Sequence, residues 1–428
     1  MQNKNEQIIF KGKEIKEEVS LPLLSPPPPS GRGRIYSKFL PLPLGGGGVG
    51  GGGYRRGNNS QKQKMLKLKK YLKATSILSG TIIGAGIFAL PWTAVQSGFL
   101  TVSIYLFVLA ILISILHLVY YQIVLSVPGK SRFPGYLGYF FGPKAKNFGA
   151  LIIISLFWGS LLVYLILGGK FLSFIFGNQA NELLPTLIFF LLGSLPIFFG
   201  IKRISSLEFF SLIILFLIIL FSFFWQKNQI PFSDFPKINF SKILLPYGII
   251  VYSLFGLSAI PELTEFLKQK KIKLENGKKI IVLGTCLPAV FYFFFIILFL
   301  RIVPANNITP DIIHSFNSIP LPWLLKYSLA IFGLLAVLTS FWTIGLNLRN
   351  LFIYDFKIKK GIACSLTCLA PLFFYFIKLR DFVSVISCLG SLIIGIQIFL
   401  IILIYFKKHK IQKNFNLKSE NEFSKIYK

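Results

Sequence analysis

Ten apolar stretches succeed one another between residues 76 and 406 of this 428-residue chain. Each is long enough, at about 1.5 Å per helical residue, to cross a hydrocarbon layer about 30 Å thick. Lipid gives backbone N–H and C=O groups no partners, so each stretch must close its own hydrogen-bond ladder. The expectation is an all-α polytopic membrane protein with ten transmembrane helices, at 76–96, 99–127, 148–176, 183–200, 207–225, 243–263, 279–303, 323–350, 361–378 and 382–406.

The first stretch contradicts its own ladder. Residues 80–91 read Gly-Thr-Ile-Ile-Gly-Ala-Gly-Ile-Phe-Ala-Leu-Pro. Three glycines and a proline so close together predict a broken helix. A break at membrane depth is tolerated only where protein or a water-filled cavity meets the freed backbone groups. Residues 256–261, Gly-Leu-Ser-Ala-Ile-Pro, repeat the Gly-Ile-Phe-Ala-Leu-Pro of 86–91 at Gly, Ala and Pro. Each copy lies in the first helix of one half of the chain. Ten spans divide as five plus five, and an odd-numbered unit places its second copy upside down. Interrupted helices one and six in an inverted repeat point to a transporter binding site.

Composition bounds the alternatives. The chain is 54% hydrophobic, holds 46 phenylalanines and is only 14% charged, which fits a membrane protein. Its formal charge of +31 lies in the tails and between apolar spans, not on one soluble face, so nucleic acid is not the expected partner. The four cysteines, Cys286, Cys364, Cys368 and Cys388, fall inside apolar spans without metal-ligand spacing. No Walker loop or hydrolase motif is present, no covalent chemistry is implied, and an enzyme is not expected.

Residues 1–64 carry a proline run at 26–29 and a glycine run at 45–53, and read as a disordered low-complexity tail. Met65 opens a basic segment just before the first span and is an alternative start, which would leave 1–64 outside the native protein. The transporter domain is then 65–406, with repeat one at 76–225 and repeat two at 243–406, followed by a basic tail at 407–428. Lys and Arg are concentrated in both tails and in alternate loops, which places both termini in the cytoplasm and the protein in the plasma (inner) membrane.

Three motifs carry a resemblance. Gly-Ala-Gly-Ile-Phe-Ala-Leu-Pro at 84–91, Phe-Gly-Leu-Ser-Ala-Ile-Pro-Glu at 255–262 and Leu-Thr-Ser-Phe at 338–341 resemble the amino acid–polyamine–organocation superfamily of permeases. That family has the LeuT-type five-plus-five fold, and the likeness is greatest to bacterial aromatic and neutral amino acid permeases. It covers about residues 76–406.

The resemblance implies a site. The N–H groups of Gly84, Ala85 and Gly86 would open a half-helix and receive a carboxylate. The same small residues could instead form a helix-packing seam. Phe255, Gly256 and Ser258 would offer carbonyls to the substrate ammonium and a flank to the pocket, and Phe255 could equally be a packing residue. Tyr164 stands where the fold often uses a tyrosine at the site; an ordinary core tyrosine is the alternative. A sodium ion would take the carbonyls of Gly80, Ile83 and Ala336 and the hydroxyls of Thr339 and Ser340; those hydroxyls could also bond back to their own helix. Ile87 has no oxygen for a second sodium, and 207–225 holds no lysine of the kind proton-coupled members place in span five. Glu262 is a gating or proton-coupling candidate, or a solvated helix end. His117 is a proton-relay candidate, or a packed polar residue.

The function expected is secondary active transport of an amino acid by cation-coupled alternating access, with Na+ or H+ as the coupling ion and no other cofactor. The lipid bilayer and the substrate are the expected partners. The alternatives are a non-transporting amino acid sensor on the same fold, or a polyamine or other amine transporter, for which Glu262 is the single nearby carboxylate.

Overall fold

A computed structural model describes residues 52–129, 131–177, 182–199, 217, 221, 224, 230–310, 312–317 and 322–426. Contacts divide the chain into a unit of residues 1–57 and one of 58–428, and the second holds all the apolar spans. The regular elements among the described residues are helices: α1 Gly52–Ile82, α2 Leu90–Ser97, α3 Phe99–Ser126, α4 Phe133–Phe141, α5 Pro143–Ile175, α6 Leu183–Phe199, α7 Leu245–Leu254, α8 Ala259–Gln269, α9 Leu274–Ile302, α10 Ile312–Asn317, α11 Trp323–Tyr354, α12 Lys360–Phe376, α13 Phe382–Cys388 and α14 Ile394–Ile426. Short 3₁₀ turns and one π turn join some of them.

Among the described residues, six helices or helix pairs are long and apolar enough to cross a membrane, and the bent first pair makes a seventh. Two shorter apolar helices, α6 and α12, have 17 residues each. The chain is therefore a multi-pass membrane protein. The expected fifth span, 207–225, lies outside the described residues apart from Leu217, Phe221 and Phe224. Helix α1 begins at Gly52, inside the stretch read as disordered, and α14 runs to Ile426 through the basic tail. Residues 54–73 hold no proline, so a helix nucleated by the span can propagate outward one bond at a time.

The expected lipid faces are visible as stripes. Leu283, Leu287, Val290 and Phe294 recur at helical spacing on α9 and are exposed, as are Leu100, Ile104, Phe107 and Ile111 on α3. Inward faces meet closely. Helix α5 is the most buried of the long spans and packs against α4, α6, α11 and α12.

Two prolines inside spans show how the freed backbone is met. Pro288 has no N–H to give the carbonyl four residues before it, Gly284. The Ser79 hydroxyl on α1 donates to that carbonyl at 3.0 Å, in a buried contact. Pro196 likewise releases the carbonyl of Leu192, and the indole N–H of Trp342 on α11 donates to it at 3.2 Å. Each proline thus creates an acceptor that a neighbouring helix uses, which is how such breaks persist in lipid.

Candidate functional site

Both predicted breaks are present. Helix α1 stops at Ile82, a 3₁₀ turn covers Ala85–Ala89, and α2 follows with Pro91 in its first turn, where a missing N–H costs nothing. The two parts of this span are bent by 51°. In the sixth span α7 ends at Leu254, Phe255 is extended, and α8 starts at Ala259.

The breaks are tied to each other by a residue that carries no signal in the sequence. The Tyr292 hydroxyl on α9 stands 2.8 Å from the Ile82 carbonyl and 3.0 Å from the Ser253 carbonyl. Its single proton is thus within reach of one freed acceptor from each broken helix. A lone tyrosine in a phenylalanine-rich run gives no local pattern from which such a role could be read.

A cavity of about 880 Å³, counting the space at its open mouth, lies at the breaks. Its lining includes Gly84, Ala85, Gly86, Tyr164, Phe255 and Ser258, six of the seven expected substrate residues. The seventh, Gly256, lies off the lining. A Cβ there would come 2.6 Å from Ile82 and 2.8 Å from Leu78, so this glycine lets α1 pass close to the sixth-span break. Its N–H donates to His117 Nε2 at 3.3 Å.

That bond defines the surroundings of His117. An Nε2 that accepts a backbone proton leaves Nδ1 as the protonated nitrogen, and Nδ1 is 2.9 Å from the Thr285 hydroxyl. Thr285 in turn donates to the Ile281 carbonyl at 3.0 Å. The neutral imidazole is therefore fully partnered and links α3, α9 and the sixth-span break.

The expected ion ligands are partly gathered. Ser340 Oγ on α11 donates across to the Ile83 carbonyl at 3.3 Å. Thr339 Oγ1 lies 2.9 Å from the Leu335 carbonyl and 3.1 Å from that of Ala336. Thus Ile83, Ala336, Thr339 and Ser340 share one neighbourhood at the end of α1. Gly80 is one turn earlier on α1. A Cβ at Gly84 would be 3.0 Å from Ser340 Oγ and 3.2 Å from the Tyr164 hydroxyl, so ion neighbourhood and cavity adjoin.

Glu262 faces the cavity's mouth through Arg132, which itself lines it. Arg132 is 3.9 Å from Glu262 and hydrogen-bonds Glu265 at 3.2 Å, the side chains being 35–38% exposed. Near this face, just past the end of α11, burial raises the Asp355 carboxyl above its ordinary range, while Lys146 and Arg132 pull it down.

The opposite side of the break is closed. Phe88 packs edge-on against Phe171 at 5.0 Å, Phe332 at 6.0 Å and Phe295 at 6.3 Å. All four rings are buried. On α5 the cavity residues precede Phe171, and on α11 they follow Phe332, as two helices running in opposite directions require.

Comparison with known proteins agrees with this architecture. The chain is 22% identical over 348 residues, 76% of its length and 85% of the relative's, to the tyrosine-specific transport system 1 of Haemophilus influenzae. Its fold is similar to that of MhsT in complex with L-phenylalanine, with a TM-score of 0.58 at 15% identity over 77% of this chain and 87% of that one. It is also similar to Mhp1, a nucleobase-cation-symport-1 family transporter in a closed conformation with bromovinylhydantoin bound, with a TM-score of 0.54 at 12% identity over 77% of each chain. Residues 67–424 match the tryptophan/tyrosine permease family. The chain belongs to that family, as an amino acid transporter of the LeuT-type fold.

Proposed function

We propose that this permease carries an aromatic amino acid across the plasma membrane by cation-coupled alternating access. The observation that carries the reading is the cavity at which both broken helices end, lined by Gly84, Ala85, Gly86, Tyr164, Phe255 and Ser258. The substrate carboxylate binds the backbone N–H groups that open the second half of span one, and its ammonium binds carbonyls at the break of span six. The names of the Haemophilus influenzae relative and of the MhsT complex support an aromatic side chain.

The full membrane domain has ten spans in an inverted five-plus-five repeat, with both termini in the cytoplasm. In that orientation the loop holding Arg132 is cytoplasmic, so the cavity faces inward and the phenylalanine cluster around Phe88 is the closed outer gate. The coupling ion is sodium, held where Ser340 meets the Ile83 carbonyl beside Thr339, or a proton, for which Glu262 is the nearest carboxyl candidate. Spans one, two, six and seven rock as a bundle against the rest.

The test is uptake of labelled tyrosine, tryptophan and phenylalanine by proteoliposomes, under a sodium gradient or a pH gradient alone. Accumulation driven by sodium is expected. Accumulation with a pH gradient only would move the coupling to a proton. Binding without accumulation under either gradient would overturn transport in favour of sensing.

A further inference from the structure

The inner half of the cavity holds polar atoms that lack a well-formed hydrogen bond, Tyr252 Oη having only the neighbouring Ser160 and Tyr164 hydroxyls beside it. Tyr252 Oη, Asn347 Nδ2 and Gln397 Oε1 are buried, and none has a hydrogen-bond partner of normal geometry. All three residues line the cavity at the breaks. Gln397 is only 2% exposed, in a span whose other buried side chains are almost all apolar. An unpaired amide in such a place carries the full cost of its lost hydration. Proteins keep few such groups, and those they keep call for an explanation.

A second feature directs Gln397 to this place. The last span is interrupted by a π turn at Leu389–Ile393. One extra residue in the turn rotates the remainder of the span by about 100° relative to a continuous α-helix. Ile394 and Gln397, three residues apart on the face that the bulge re-aims, both line the cavity. The bulge is itself seated tightly, because a Cβ at Gly390 would collide with the carbonyl oxygen of Gly248 on α7.

We propose that Asn347 and Gln397, with Tyr252 beside them, form the end of the site that recognises the polar tip of the substrate side chain. This rests on the aromatic amino acid reading given above. Asn347 lies seven residues beyond Ser340 on α11, about 10 Å along the helix, which a side chain of phenol or indole length can bridge from a backbone anchored at Gly84, Ala85 and Gly86. The unpaired atoms are complementary. Asn347 Nδ2 lacks an acceptor and Gln397 Oε1 lacks a donor. A phenol hydroxyl supplies both at once, and an indole N–H supplies the donor alone. Phenylalanine supplies neither and leaves both amides stranded, and a site built around a hydrogen-bonding tip discriminates strongly against such an analogue.

Displacement of labelled tyrosine from the full-length protein in proteoliposomes tests this, with tyrosine, O-methyltyrosine and phenylalanine as competitors. Tyrosine is expected to bind about tenfold or more tighter than phenylalanine, with O-methyltyrosine weakened by its missing proton. Gln397→Leu and Asn347→Leu should each remove most of that preference while leaving phenylalanine affinity within about threefold. Equal binding of the three competitors to the unaltered protein, or an unchanged tyrosine-to-phenylalanine ratio in both variants, would overturn the proposal and make these amides hydration sites only. The competitor series needs no variant, so misfolding cannot mask the result. No detectable binding of any of the three would instead sink the aromatic substrate reading on which the proposal stands.

Discussion

Gly86 lies against Ser253 at backbone distance: a Cβ added to Gly86 would stand 2.8 Å from the Ser253 Cα and closer still to its hydroxyl. The two broken spans therefore touch at the cavity's edge, and the side-chain space at Gly86 belongs to the sixth span. Gly86→Val should abolish tyrosine binding by wedging the breaks apart. It should also lower thermal stability, since overpacking typically costs about 1–3 kcal/mol. Melting of the detergent-solubilised protein, read beside binding, checks both. Unchanged melting with lost binding would mean that the valine side chain blocks the ligand rather than the packing.

The Ser79–Gly284 bond exists because Pro288 cannot donate. Ser79→Ala should strand the Gly284 carbonyl and cost about 1–3 kcal/mol. Adding Pro288→Ala should recover part of that loss, because an alanine N–H can close the α9 ladder onto Gly284. A double-mutant cycle in melting temperature reads the coupling. Strictly additive effects would show that the serine does not serve the proline break.

His117 is held at both ring nitrogens, by the Gly256 N–H and by the Thr285 hydroxyl. His117→Leu removes both partners and should destabilise the protein by about 1–3 kcal/mol. His117→Gln keeps a donor and an acceptor and should retain uptake, with the pH profile of the unaltered protein. A flattened pH profile in His117→Gln would identify a proton relay in place of a structural link.

Ser340 reaches the Ile83 carbonyl just past the broken end of α1, and Thr339 stands beside it on α11. The Thr339→Ala, Ser340→Ala double variant should lose cation stimulation of uptake while retaining cation-independent substrate binding. Sodium titration of uptake in proteoliposomes measures this, and undiminished stimulation would place the ion elsewhere.

Arg132 pairs with Glu262 and Glu265 at the cavity's mouth, with all three side chains about a third or more exposed. Pairs so well solvated contribute about 0–1 kcal/mol, so Arg132→Gln should leave melting nearly unchanged. A large fall in melting temperature would show that the group is structurally required.

The sequence by itself determined the helical class, most of the spans, and the two places where a span must break. Those features follow from local chemistry: apolar length, glycine and proline, and a solvent without hydrogen-bond partners. It also marked Gly84, Ala85, Gly86, Phe255 and Ser258, because a broken helix exposes its own neighbours. Only the tertiary structure decided what faces those breaks. Tyr292, Asn347 and Gln397 sit in apolar runs that look like lipid-facing or core helix, and their roles depend on helix rotation. A π turn of five residues re-aims Gln397, and the Gly256 backbone lies against the Ile82 and Leu78 side chains of α1. Rotation and proximity are set by contacts between residues far apart in the chain, and no local pattern encodes them.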